Sequence, residues 1–566
     1  MHARGRACRS RGRQDQGGRA GADDDPAGLF ARGRGLLEER VSTVEAFDRR
    51  DLLKLSGLTL ASGLWPGCVA DQKRSGARDD AIAQTAEGPV EGTLLRDSIA
   101  FLGIPFAAAP VGPLRFRAPV PAPRRAQLLP AKAFAAAAIQ PPPPAGLYGP
   151  EPMPTREDCL YLNVWRPRTP GPHPVYVWVH GGGNVAGATR MPVFDGARLA
   201  RKGIVCVSVA YRVGALGFLD VSGLLGPDYA GSGNNGMLDI VAGLRWVRDN
   251  IAGFGGDPAA VTVGGQSAGA KNVCTLLAMP AAKGLFRAAV VESGGAETCA
   301  SADRAAEMAR ILAAEAGGDL QAIDAAALLQ AQIRFSKRWN RKYPFRSVVD
   351  GVHLPQLPLA ALRSGAALDV PLLIGTARDE IAFFGPNATR DGTVVQGDLA
   401  NMALDRFMPI YAGYDRVMAQ ASPIDRRYAA LCAEEYWIPT QRAAAAHAAA
   451  GRSTWLYRLD MPRAEAPNAG YAVHGSELPL VWDKVDDPLS SYLGPDGAAG
   501  ARLSATMHAA WVSFIRSGAP QAPDLAWPRH GARTRATMLF DAQSRTVADP
   551  DAAQRRLWDG AEFDFR

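Results

Sequence analysis

Residues 261–273 read VTVGGQSAGAKNV. A β-branched run enters the pattern Gly-x-Ser-x-Gly and leaves through small residues into AGAKNVCTLLAM, a helix-compatible segment. The setting is strand, tight turn, helix. In a chain with 60 glycines the five-residue pattern alone carries little weight. The flanking elements add to it, because a sharp strand-to-helix turn strains its central residue and exposes that side chain above the sheet. On this reading Ser267 is a nucleophile, and side chains at Gly265 and Gly269 would clash across the turn. The competing reading is a small residue in an ordinary turn.

Working outward, apolar β-rich runs alternate with helical stretches from about Gly88 onward, and no internal repeat is evident. The alternation predicts an α/β fold with a mostly parallel sheet covered on both faces. Four runs stand out. PVYVWVH (174–180) ends in Gly181-Gly182-Gly183, and VTVGG (261–265) runs into Ser267. VPLLIGT (370–376) runs into Ala377-Arg378-Asp379-Glu380, and STWLYRLD (453–460) precedes a polar loop holding His474. In open α/β sheets chemistry collects beyond the carboxyl ends of strands. All four features lie there.

A serine hydroxyl needs a base to act as a nucleophile. In the strand–turn–helix arrangement the partners follow in the order serine, acid, histidine. Asp379 and Glu380 both follow a buried strand, and composition does not choose between them. Four histidines follow them: His447, His474, His508 and His530. His447 lies in AAAAHAAAG and reads as a plain exposed helix residue. His508 lies in ATMHAAWVSFIR and reads as core packing or surface. His474 and His530 lie in loops. His474 is preferred because its loop follows a strand and adjoins Gly475, with His530 as the alternative. The backbone N–H groups of Gly181–Gly183 suit stabilisation of an oxyanion; the plainer reading is a flexible turn.

The bulk numbers narrow the classes. The chain has 566 residues, 47% of them hydrophobic, enough for one large core or two modest ones. Net charge is +7, and residues 1–40 account for +3 of it, with nine Arg against six Asp and Glu. The rest is too evenly spread to suggest a nucleic-acid partner. None of the seven cysteines falls in a pattern with zinc spacing, so no metal is expected. Cys206 and Cys274 sit in apolar runs and read as small buried hydrophobes.

The N-terminus stands apart. Residues 1–46 are rich in Arg, Gly and Asp and lack periodicity. They read as a disordered extension, or as upstream sequence ahead of a start near Val41. Residues 47–80 read as a signal and linker. Arg49-Arg50 ahead of Leu52-Leu53-Lys54 looks like a twin-arginine export signal, and the apolar run Leu52–Leu64 is too short to span a bilayer. Cys68, preceded by Gly67, resembles a lipoprotein cleavage box. The expected location is periplasmic or extracellular, with membrane attachment only if Cys68 is lipidated.

From about Gly88 to the C-terminus the sequence resembles the type-B carboxylesterase family, which includes para-nitrobenzyl esterases and cholinesterases. FLGIPFAAAPVGPLRF (101–116), EDCLYLNVW (157–165), HGGG (180–183), YRVGALGFL (211–219), FGGDPAAVTVGGQSAG (254–269), VVDG (348–351) and HGSE (474–477) occur in family order. The resemblance implies an α/β-hydrolase domain over residues 81–566 and a serine esterase that needs no cofactor. It assigns Ser267 as nucleophile, Glu380 as acid and His474 as base. It places the oxyanion donors at the N–H groups of Gly182, Gly183 and Ala268. Arg115 with Glu157, and Arg212 with Asp239, resemble structural ion pairs of the family.

The departures are informative. Cys159 matches a cysteine that is often disulfide-bonded in relatives, but the region before Gln140 holds no partner, so a free thiol is expected. Residues 140–158 contain no Trp, which argues against choline esters. Asn184 stands where relatives often have an aromatic, and Gln266 where most have Glu. Gln266 therefore joins Asn184, Tyr343 and Phe345 as a substrate-pocket candidate, one that removes a preference for cationic substrates. The segment RFSKRWNRKYPFRS (334–347) is strongly basic. It reads as a solvated face or as a cationic rim favouring esters that bear a carboxylate. The small-molecule ester reading competes with a non-catalytic binding protein of the same fold, and with an amidase, lactonase or polyester hydrolase using the same residues.

Overall fold

The computed structural model describes residues 81–563 except 144–146, 385–391, 465–467, 489–492, 496 and 532. The readings made for residues 1–46, the signal and Cys68 lie outside the described residues.

The apolar runs form one eleven-stranded sheet. In chain order its strands are β1 (Thr93–Leu94), β2 (Ser98–Pro105), β3 (Tyr161–Pro167), β4 (His173–Val179), β5 (Val205–Val209) and β6 (Gly256–Gln266). They continue as β7 (Ala288–Glu292), β8 (Leu372–Ala377), β9 (Thr454–Leu459), β10 (Ala536–Phe540) and β11 (Arg545–Ala548). The spatial order is β1-β2-β3-β5-β4-β6-β7-β8-β9-β10-β11. From β5 through β10 every pairing is parallel, and the edge pairings are antiparallel. Ile82–Thr85, Gly88–Glu91 and Leu129–Pro130 form a separate three-stranded sheet.

Both faces of the central strands are covered, which explains their near-continuous apolar sequences. In β4 the side chains alternate between two cores. Val175, Val177 and Val179 join one, while Tyr176 and Trp178 join the other. Helices α1 (Asn235–Asn250) and α2 (Ala268–Leu276) bury Met237, Ile240, Val273 and Cys274 in the first core. Further along come α3 (Ala325–Arg338), α4 (Ile438–Ala449) and α5 (Gly497–Ser517). Helix α5 puts Leu503, Met507, Trp511 and Phe514 into the second core. Both family-type ion pairs form. Arg115 meets Glu157 at 2.8 Å, and Arg212 binds both carboxylate oxygens of Asp239 at 2.7 and 2.8 Å. Among the described residues no helix is long and apolar enough to cross a membrane.

One expectation fails. His447 is fully buried, not exposed, and its Nδ1 lies 2.7 Å from Thr454 Oγ1. The surrounding alanines carry little apolar signal in sequence, yet Ala443, Ala444 and Ala446 are core residues. Burial, and then the charge of Arg452, lower the His447 pKa to about 4. Cys206 and Cys274 are buried as expected, and Cys159 is a buried free thiol.

Candidate active site

Strands β6, β7, β8 and β9 are parallel neighbours, so the segments leaving their carboxyl ends converge. Ser267 follows β6 directly, with φ 58° and ψ −124°, a strained conformation for a residue with a side chain. Two backbone bonds hold it. Its N–H donates to Glu292 O at 2.8 Å, and its carbonyl accepts from Lys271 N–H at 3.0 Å. The glycines on either side leave room for the turn. A methyl on Gly265 would lie 2.6 Å from the Gly269 carbonyl carbon, and one on Gly269 would lie 2.1 Å from Val179 O. The turn closes only without those side chains.

After β8 the chain turns so that Glu380 points inward. Its carboxylate accepts from the Ser293 hydroxyl at 2.6 Å and from Ala377 N–H at 2.8 Å. Its other oxygen meets His474 Nδ1 in a short contact. Asp379 turns away and pairs with Arg378 at 2.9 Å. Of the two carboxylates that composition left open, Glu380 is the one that meets His474. His508 and His530 point elsewhere, their Nδ1 atoms bonding to Val481 O and Ala536 O.

The His474 ring packs beside Tyr436, Phe384 and Phe383, with centroids 4.8, 5.3 and 6.4 Å away. Its Nε2 lies 3.2 Å from Gln266 Nε2. Ser267 Oγ makes no hydrogen bond among the described residues. Gln266, a substrate-pocket candidate from sequence, faces the imidazole and not the cavity beside Ser267. Two further buried carboxyls lie behind the histidine. Glu477 is raised to about 7 by burial and then by the charge of Glu380. Glu292 is pushed well above the usual carboxylate range by burial, and accepts from Trp511 Nε1 at 2.7 Å.

The glycine loop after β4 lies against the serine; a methyl on Gly181 would stand 3.0 Å from Ser267 Cβ. Gly182 has φ 115°, and a methyl there would lie 2.2 Å from Ala186 O, so only glycine fits. Among the described residues the N–H groups of Gly182 and Gly183 donate to nothing. Ala268 opens α2, where an N–H has no intrahelical acceptor. These three N–H groups are available near the serine.

A small cavity of about 20 Å³ opens beside Ser267, lined by Gly183, Asn184, Ala268, Tyr343 and Phe345 among others. Asn184 is buried in its wall, accepting from Asn272 Nδ2 at 3.0 Å. Lys271, Arg346 and Glu435 also line it. Reading from sequence missed Lys271 and Glu435 as site residues. The one signal was a lone Lys in the otherwise apolar run AGAKNVCTLLAM. The basic segment 334–347 is neither one solvated face nor one rim. Arg334 and Arg338 pair with Glu315, whereas Arg346 is buried at the cavity.

A doubly covered α/β sheet with a strained serine and a carboxylate-bound histidine at its carboxyl end defines a serine-hydrolase architecture. The chain belongs to the carboxylesterase family, whose model matches residues 79–558. It is 35% identical over 486 residues to the para-nitrobenzyl esterase of Bacillus subtilis (strain 168), covering 84% of this chain and 98% of that one. It is 35% identical over 491 residues to the fumonisin B1 esterase of Sphingopyxis macrogoltabida, covering 82% and 86%. A solved PNB esterase superposes with TM-score 0.75 at 32% identity, over 84% of this chain and 99% of that one. The Geobacillus stearothermophilus carboxylesterase Est55 gives 0.75 at 32%, over 84% and 100%. Family and fold support a serine-hydrolase type of activity.

Proposed function

We propose that the chain is a serine carboxylic-ester hydrolase that works through an acyl-enzyme. What supports this reading is a strained serine at the end of β6, Ser267 at φ 58°, together with a histidine bonded to a buried carboxylate beyond the neighbouring parallel strands. Glu380 fixes the tautomer with the proton on Nδ1, which leaves Nε2 as the acceptor. In the free protein Nε2 faces Gln266. Bound ester draws it to Ser267 Oγ, a tightening common when substrate completes a site. The hydroxyl attacks the carbonyl and its proton passes to Nε2. The oxyanion takes the N–H groups of Gly182, Gly183 and Ala268. The alcohol leaves with that proton, and water activated by His474 then releases the acid.

Purified protein is expected to hydrolyse 4-nitrophenyl acetate, and Ser267→Ala to abolish that activity. Hydrolysis that survives Ser267→Ala rejects the reading. We further infer export directed by residues 47–80, with membrane attachment only if Cys68 is lipidated. Mass spectrometry of the processed N-terminus tests both, and an unmodified Cys68 in the mature chain rejects the second.

A further inference from the structure

The three candidate oxyanion donors come from two separate elements. Gly182 and Gly183 lie on the loop after β4, whereas Ala268 opens α2. An oxyanion gains from both only if the loop and the helix keep a fixed spacing. The glycines cannot set that spacing themselves. They have positive φ, 115° and 65°, and no side chain with which to grip a neighbour. The next residue does. Asn184 continues the run at φ 58°, a region that asparagine enters more readily than most residues with a side chain.

Asn184 is buried, and its amide is bonded at both ends. Its Oδ1 accepts from Asn272 Nδ2 at 3.0 Å, and its Nδ2 donates to Phe345 O at 3.3 Å. The partners decide which end is which, because a backbone carbonyl can only accept. The carbonyl of Asn184 accepts from Gly214 N–H at 2.6 Å. Asn272 lies four residues beyond Ala268 in α2, one helical turn along the same face. The Asn184–Asn272 bond therefore joins the two groups of donors, one residue from Gly183 at one end and one turn from Ala268 at the other. Tyr211 steadies the start of the same loop. Its hydroxyl donates to His180 O at 2.8 Å, and its ring stacks on His180 with centroids 4.4 Å apart. A side chain at 184 lacking either a donor or an acceptor could not make this pair of bonds.

Resting on the esterase reading above, we propose that Asn184 is a positioning residue for the oxyanion hole. Through Asn272 it locks the glycine loop to the start of α2, so that the N–H groups of Gly182, Gly183 and Ala268 keep their spacing before substrate arrives. It acts through those donors and not on the ester.

The test uses Asn184→Gly, Asn272→Ala and the double variant. Glycine adopts the same backbone angles without strain, so Asn184→Gly removes the bridge and keeps the turn. Each single variant is expected to lower kcat for 4-nitrophenyl acetate by about tenfold to a hundredfold, the scale of a small misplacement at a reacting centre. KM is expected to move far less. Affinity for benzyl trifluoromethyl ketone, whose adduct with Ser267 carries an oxyanion, is expected to fall in step with kcat. The double variant is expected to be no slower than the slower single one, because both remove the same bond. Wild-type kcat in a folded Asn184→Gly protein overturns this inference and leaves the esterase reading standing. Losses that multiply in the double variant do the same. A wild-type protein that does not hydrolyse 4-nitrophenyl acetate overturns the esterase reading, and this inference with it.

Discussion

The two sides of Ser267 differ in kind. Toward His474 the surroundings are aromatic rings and a bond from the imidazole to one buried carboxylate. Toward the cavity the surroundings are charges and amides drawn from three separate segments: Lys271 and Asn272 from α2, Arg346 from the loop before VVDG, and Glu435 from the π-helical turn Ala433–Trp437. The first side is written in short ordered motifs, and on the proposed mechanism its work is common to every ester. The second is assembled by the fold from segments far apart in sequence.

Substitutions on the first side should cost rate for every substrate. Ser267→Ala is expected to lower kcat by about 10⁶-fold for neutral and anionic esters alike, read by 4-nitrophenol release. Glu380→Gln leaves the ring in place but loses control of its tautomer, for an expected loss of about 10⁴-fold. On the second side, Lys271→Met should act much less on rate. A Lys271 variant as slow as Glu380→Gln would erase the distinction between the two sides.

Gln266 sits on the boundary and sharpens it. Gln266→Glu places a carboxylate against His474 Nε2, which favours the imidazolium over the base. Selectivity between cationic and neutral esters is then expected to change, read as the ratio of their kcat/KM values. An unchanged ratio would make Gln266 a packing residue only.

The smallest effect concerns Glu477. Its carboxyl titrates near 7 in the folded protein against an ordinary value of 4.5, so the folded state holds the proton more tightly. Between those pH values the unfolded chain ionises first, and stability falls as pH rises through the window. Glu477→Gln has no proton to lose. Its Tm relative to wild type is expected to climb by a few degrees from pH 5 to pH 8. A constant difference would show that burial of Glu477 has no linkage to folding.

Much of the first side could be read from sequence, for a physical reason. Strands buried on both faces give unbroken apolar runs, and a turn that excludes Cβ atoms at Gly265 and Gly269 leaves a fixed glycine pattern. The acid was harder. Asp379 and Glu380 are chemically alike, and only the turn after Ala377 aims one at His474 and the other at Arg378. His447 misled because alanines read the same in a core as on a surface. The cavity charges were the least legible. Lys271 alone looks like any helix lysine, and Arg346 looked like one of six surface cations until the fold separated it from Arg334 and Arg338.

The order of the central sheet sets a condition on when this protein begins to work. Ser267 leaves β6, while His474 arrives only after β9 has docked two strands beyond β7. More than two hundred residues of synthesis separate Ser267 from His474. On the proposed mechanism, a nascent chain holds an inert serine until its C-terminal third has folded. In refolding, hydrolytic activity should return with the last of these strands, later than the bulk of the secondary structure, and so report completion of the fold.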